Sequence, residues 1–143
     1  MKPTPYLFFN GTCAEALAAY RDIFGGKIVD VAKGRDMPPE MSIPDDRKDW
    51  LMHAELRFDG GSLMGSDNVF GTSDAMAGVA VMVSLPTVDE AQAAFDKLAV
   101  GGAVTMPFAP TFWTAGFGRV TDRWGTLWMI NCDAAQAHED ADG

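Results

Sequence analysis

The strongest constraint on this chain is a repeat. Thr12 to Gly26, TCAEALAAYRDIFGG, and Thr87 to Gly101, TVDEAQAAFDKLAVG, follow one design at a constant offset of 75 residues. Each opens with capping-box spacing, Thr12 with Glu15 and Thr87 with Glu90, in which the Thr hydroxyl accepts from the amide three residues on and the Glu side chain reaches back. Each then carries an apolar stripe at helical spacing, Ala16, Tyr20 and Ile23 against Ala91, Phe95 and Leu98, and stops at glycine. A box, a stripe and a stop in register predict two homologous half-domains, each built around one helix.

A chain of 143 residues with 48% hydrophobic content can bury the core of such a doubled domain. No run approaches the roughly 20 apolar residues of a spanning helix, and the start, MKPTPYLFFNGT, lacks the small-residue exit of a secretory signal, so no membrane association is expected. The net charge of −9 argues against nucleic acid, whose phosphates require clustered Lys and Arg. Two cysteines, Cys13 and Cys132, and no export signal point to a reduced, cytoplasmic protein in which a Cys13–Cys132 bridge is disfavoured.

The remaining elements fall between and after the helices. Tyr6 to Asn10 reads as a short strand, and Lys27 to Lys33 as a second through its β-branched content. Gly34 to Asp49 holds Pro38, Pro39 and Pro44, which interrupt helix and strand alike; a connection this long is either a candidate flap or a tolerated surface insertion. Trp50 to Phe58 alternates, with Met52, Ala54, Leu56 and Phe58 on one face and His53, Glu55 and Arg57 on the other, and Asp59-Gly60-Gly61 turns it into Ser62 to Asp67. After a Gly/Ser/Thr/Asp linker, Asn68 to Ala77, the order repeats with strands at Gly78 to Leu85, Gly102 to Phe108, Ala115 to Asp122 and Thr126 to Asn131. Matching Gly61-Ser62-Leu63 to Gly125-Thr126-Leu127 lowers the offset to 64, the shortening expected if the second half lacks the long connection. The acidic end, residues 133–143, has no apolar stripe and reads as a frayed tail.

Through YLFFNGTCAEALAAYRDIFGG, HAELRFDGGSLMGSD and FWTAGFGRVTDRWGTLWMIN, the chain resembles the vicinal-oxygen-chelate superfamily of glyoxalase I, extradiol dioxygenases and bleomycin-resistance proteins, and within it the PhnB-like branch. The resemblance implies an α+β fold: two tandem βαβββ modules, here 4–67 and 78–132 within one domain 1–132, forming curled sheets with helices on the outer face and a ligand cavity on the inner faces. It also implies a homodimer. The superfamily's divalent metal is held by one side chain from each of four strands. Carried over, those positions fall at Pro5 or Thr4, Gly65, Val79 or Ala80, and Met129; none is a carboxylate or imidazole, so neither metal nor other cofactor is expected. The 3-demethylubiquinone methyltransferase label carried by some members of the branch finds no support in a glycine-rich strand-to-helix loop, since both helices open with Thr.

The candidate site is the strand face turned away from the helices. His53 beside Glu55 has the pattern of a base with a carboxylate to orient it; the alternative is that Glu55 pairs with Arg119 and His53 hydrogen-bonds across the sheet. Phe9, Arg57, Asp67, Phe112, Trp113, Phe117, Arg119, Met129 and Asn131 are the expected ligand contacts, with Asp67 and Asn131 equivalent under the offset of 64. Phe112 and Trp113 lie in a connection, where they suit a pocket wall or dimer contact, whereas Trp128 suits the core. Three functions fit: a metal-independent binder of a small organic molecule with acid–base chemistry limited to His53 and Glu55; a non-enzymatic drug-sequestering protein; and a metal-dependent lyase or dioxygenase with displaced ligands.

Overall fold

The computed structural model describes residues 1–134; most of the acidic tail lies outside the described residues. The chain divides into two compact units, Met1–Ala75 and Met76 onward. The first holds β1 (Tyr6–Phe9), α1 (Cys13–Phe24), β2 (Lys27–Lys33), β3 (Leu51–Phe58) and β4 (Gly61–Asp67); the second holds β5 (Val81–Leu85), α2 (Val88–Ala99), β6 (Ala103–Ala109), β7 (Phe117–Thr121) and β8 (Leu127–Cys132). Each unit is a four-stranded mixed sheet with one helix, in the orders β1-β4-β3-β2 and β5-β8-β7-β6. The first strand of each lies parallel to the last, and the other pairs are antiparallel. This is the doubled βαβββ architecture expected from the repeat.

The helices cover one face of their own sheets. α1 buries Cys13, Ala16, Leu17 and Tyr20, while Leu7, Phe9, Ala54, Leu56 and Leu63 form the sheet side of that core. α2 buries Ala91, Ala94, Phe95 and Leu98 above Val120, Trp128, Ile130 and Cys132. Burial of a leucine such as Leu17, Leu56 or Leu98 contributes about 2 kcal/mol. Both cysteines are free and buried. Trp128 is a core residue, its indole N–H donating to Asp122 Oδ2 at 2.8 Å.

The two helix starts differ in chemistry despite their shared sequence pattern. Thr87 caps α2 as expected, accepting from the Glu90 amide at 3.1 Å. Thr12 makes no side-chain capping bond. Its place is taken by Asp67, at the far end of β4: Oδ1 accepts from the amides of Gly11 (2.8 Å) and Cys13 (3.0 Å), and Oδ2 from that of Leu51 (2.9 Å). One buried carboxylate thereby caps α1 and ties together β1, β3 and β4, with its charge at the positive end of the helix dipole. Gly11 is required beside it: its φ is +101°, and a Cβ there would stand 2.7 Å from the Trp50 ring.

The Gly34–Asp49 connection is a built structure. It forms three short 3-10 turns, Gly34–Asp36, Pro39–Met41 and Asp45–Arg47, and buries Ile43. Arg47 anchors it, its guanidinium stacked 4.4 Å from the Trp50 ring centre and donating to the carbonyls of Asn68 (2.9 Å) and Gly71 (2.7 Å).

Candidate functional site

Strand register decides which side chains share the face away from α1. Tyr6 pairs with Met64, Phe8 with Ser66, and Glu55 with Met64, so these residues lie together on the open face. The β2–β3 ladder shifts register between Ala32↔His53 and Lys33↔Leu51, leaving Met52 as an extra residue in β3. This bulge breaks the expected alternation: Met52 leaves the face of Ala54 and Leu56 and lines a concavity with Phe8 and Ser66. The concavity, about 320 Å³, is completed by Asp67, Asn68, Val69, Phe70 and Ser73.

An aromatic row leads from it to His53. Phe8 and Tyr6 have ring centres 5.2 Å apart, and Tyr6 and His53 5.7 Å. The Tyr6 hydroxyl lies 3.0 Å from His53 Nδ1. Tyr6, and not Glu55, is therefore the hydrogen-bonding partner that orients the imidazole. With the proton on Nδ1 donated to Tyr6, Nε2 carries a lone pair able to accept a proton; with Tyr6 donating, Nε2 carries the hydrogen and donates.

Glu55 is committed elsewhere. Arg57 grips it through Nε to Oε2 at 3.3 Å and Nη2 to Oε1 at 3.4 Å, and reaches Asp30 Oδ2 at 3.3 Å. The hydrogen bond from Arg57 holds the Glu55 carboxyl below its ordinary value, so it is ionised at neutral pH. The ion pair that Glu55 makes lies within β3. A salt-bridged carboxylate is a poor general base, so Glu55 supplies negative charge beside His53 while His53 remains the group able to exchange a proton.

Two expected contacts move off this face. Phe9 is a core residue, 2% exposed, one position out of phase with the exposed Phe8. Asp67 forms part of the concavity's lining, but its oxygens are occupied by the three amides. In the second unit Phe117, Arg119, Met129 and Asn131 do share one face, through the pairs Phe117↔Asn131 and Arg119↔Met129. Trp113 packs edge-on against Phe117 at 5.4 Å and against Phe112 at 4.8 Å, with Phe112 largely exposed. Asn131 Nδ2 donates to Ser84 Oγ at 3.2 Å, and its Oδ1 is buried without a partner among the described residues.

The offset of 64 holds for β3 against β7 but fails for the last strand. The pairs Glu55↔Met64 and Arg119↔Met129 show that Met129 corresponds to Met64, an offset of 65. Between equivalent ladder pairs, four residues separate Arg57 from Ser62 and five separate Thr121 from Leu127, and a one-residue slip exchanges the two faces of a strand. Asn131 is thus the counterpart of Ser66, and the buried Cys132 that of Asp67. The same slip had placed a metal corner at Gly65, which lies on the helix face, where a Cβ would come within 3.2 Å of Cys13 Sγ. The open-face corners are Tyr6 and Met64 in one unit and Met82 and Met129 in the other. One phenol and three thioethers do not suit the divalent metal implied by the resemblance, and among the described residues no three His, Cys, Asp or Glu side chains gather as a ligand set.

Comparison with known proteins agrees with this architecture. Residues 3–130 match the model of the Glyoxalase/Bleomycin resistance protein/Dioxygenase superfamily. The chain belongs to that superfamily. It is 32% identical over 142 residues to protein YjdN of Escherichia coli K12, covering 92% of this chain and 95% of that one. The crystal structure of PA1353 from Pseudomonas aeruginosa is 40% identical and superposes with a TM-score of 0.84, covering 92% and 97% of the two chains. The PhnB protein of Bacillus cereus shares the fold at 24% identity and a TM-score of 0.78 over 92% and 99%. At that identity the likeness to the PhnB protein is one of fold.

Sequence reading missed Tyr6, Phe8, Met52, Ser66 and Phe70 as parts of the site. Tyr6 and Phe8 share a parity that was legible, and Phe70 stands out in a Gly/Ser/Asn-rich linker as Phe112 and Trp113 do in theirs. The Met52 bulge has no local signal.

Proposed function

We propose that this superfamily member binds a small planar organic molecule, uncharged or cationic, on the open face of its first module, and that chemistry performed there is proton transfer by His53. The observation carrying this reading is the concavity itself. Phe8, Met52, Val69 and Phe70 offer apolar surface, Ser66, Asn68 and Ser73 offer hydrogen bonds, and among the described residues no cationic side chain lines it. With a net charge of −9 around it, the site disfavours carboxylates and phosphates. Its volume is at the lower end of the roughly 300–1,000 Å³ typical of ligand pockets, enough for one or two rings.

Three ligands with one ring system test the reading by calorimetry: naphthalen-1-ylmethanol, 1-naphthylmethylammonium and 1-naphthoate. The alcohol and the ammonium are expected to bind saturably and the carboxylate at least about tenfold more weakly, a difference of about 1.4 kcal/mol. Equal or tighter binding of the carboxylate refutes the assignment. The net charge of −9 also suits sequestration of a cationic ring, and a His53→Ala protein that retains binding selects that reading. We propose further that the chain acts as a homodimer, supported by Tyr6, Phe8, Met82, Phe112 and Trp113 standing exposed; a single-chain mass in sedimentation equilibrium would contradict this.

A further inference from the structure

The outer wall of the concavity is a stretch of linker, residues 68–73, without regular secondary structure. Such a segment keeps a fixed shape only if its backbone is held from elsewhere, and two side chains hold it. Asn10 grips one limb, its Oδ1 accepting from the Ser73 amide at 2.8 Å and its Nδ2 donating to the Ser73 carbonyl at 3.1 Å. Arg47 grips the other: a single nitrogen, Nη1, donates to the carbonyls of Asn68 and Gly71, which bracket Val69 and Phe70. Within the bracket the Phe70 amide donates to Asn68 Oδ1 at 3.2 Å. Arg47 itself is held by the Trp50 ring beneath its guanidinium and sits at the end of the last 3-10 turn of the long connection.

The first unit has Gly34 to Trp50 between β2 and β3, whereas only residues 110–116 separate β6 from β7 in the second. In the second unit this shorter connection meets the chain after β8 through its backbone, the Ala115 amide donating to the Ala134 carbonyl at 3.3 Å, and it carries no arginine. The extra residues of the first unit include Arg47, whose side chain joins the connection to the pocket wall.

We propose that Arg47 is a positioning residue for the ligand site, and that the Gly34–Asp49 connection serves to deliver its guanidinium to the 68–73 wall and so shape the first module's site for a ring. This rests on the reading of the concavity as the ligand site. Arg47 touches no ligand; it fixes the backbone that presents Val69 and Phe70, so that the wall is ordered before the ligand arrives and its ordering is not charged against affinity. A lysine cannot replace it, because an ammonium lacks the planar face that stacks on Trp50 while donating to two carbonyls.

The test compares Arg47→Ala, Arg47→Lys and Arg35→Ala, the last removing a guanidinium of the same connection that pairs with Asp49 at the surface. With naphthalen-1-ylmethanol as probe, both Arg47 variants are expected to lose about tenfold or more in affinity and Arg35→Ala to keep wild-type affinity. Millimolar guanidinium, and not ammonium, should restore binding to Arg47→Ala, a rescue that general loss of stability would not show. Wild-type affinity in either Arg47 variant, or an equal loss in Arg35→Ala, overturns the proposal. If Arg47→Ala fails to fold, Arg47→Lys decides the matter by the same affinity criterion. Hydrogen exchange of the Phe70 and Ser73 amides separates this proposal from the reading it rests on. Faster exchange in Arg47→Lys with a wild-type protein that binds no probe removes the ligand reading and leaves the positioning intact; unchanged exchange removes the positioning.

Discussion

Replacing Asp67 with Asn discriminates between two accounts of how the first module is held. The Asp67 carboxylate accepts three backbone N–H bonds, from Gly11, Cys13 and Leu51, in a site 5% exposed. An asparagine whose amide oxygen takes the place of Oδ1 keeps the first two bonds and turns an NH2 toward the Leu51 amide, donor against donor. A hydrogen bond to a charged acceptor contributes about 1.5–3 kcal/mol, and the lost anion at the N-terminus of α1 adds about 0.3–1 kcal/mol. Asp67→Asn is therefore expected to cost about 2–4 kcal/mol, which a urea titration followed by circular dichroism reads as a lower midpoint with unchanged slope. Thr12→Ala provides the contrast, because a capping box at Thr12 and one at Thr87 would make the two alanine variants equal. The structure predicts a change within about 0.5 kcal/mol for Thr12→Ala and a loss of about 1 kcal/mol for Thr87→Ala. An Asp67→Asn protein within about 0.5 kcal/mol of wild type, or a Thr12→Ala loss as large as that of Thr87→Ala, refutes the reasoning.

Cys13 and Glu55 give two predictions with opposite pH dependence. Burial pushes the Cys13 thiol up to about 12, helped by the Asp67 charge, while in the unfolded chain it ionises near 9. The unfolded state alone loses that proton between these values, so stability falls by up to about 1.4 kcal/mol per pH unit from pH 9 toward 12 and shows no contribution from this group below 9; a Cys13→Ala protein whose alkaline loss matches wild type would contradict this. Glu55 is held low by Arg57, so its contribution is present above the carboxylate's unfolded value and fades as pH drops through the lowered one. In Arg57→Ala the Glu55 titration followed by carbon NMR is expected to move up, and an unmoved midpoint would show that Arg57 is not its cause.

Much of the fold was legible because it is written twice. The helix stripes, the glycine stops and the strand alternation recur, and recurrence separates pattern from accident. What was not legible depends on non-local backbone geometry. The Thr12 box looks like the Thr87 box, yet the Thr12 hydroxyl makes no capping bond, and Asp67, more than fifty residues away in sequence, accepts from the Gly11 and Cys13 amides at that helix start. The extra residue in the β7–β8 turn changes which face Met129 and Asn131 share with their counterparts, and a glycine-to-glycine match conceals it. Likewise Phe9 and Phe8 differ by one position of strand phase, which places one in the core and the other on the open face. His53, Glu55 and Arg57 lie on one strand, so their grouping was readable, while their partners follow from pairing: Tyr6 comes from β1, and Arg57 turns back on Glu55.

The claim that a small ring binds against the Phe8–Tyr6–His53 row is tested most directly by methyl NMR of protein labelled at methionine, titrated with 1-naphthylmethylammonium. Met52 lines the concavity and Met64 pairs with Tyr6 on the same face, whereas Met37 and Met41 lie in the connection. The account predicts saturable shifts at Met52 and Met64, with Met37 and Met41 unmoved, and the same shifts weakened in Phe8→Ala. Saturable binding that leaves Met52 and Met64 unmoved would contradict it.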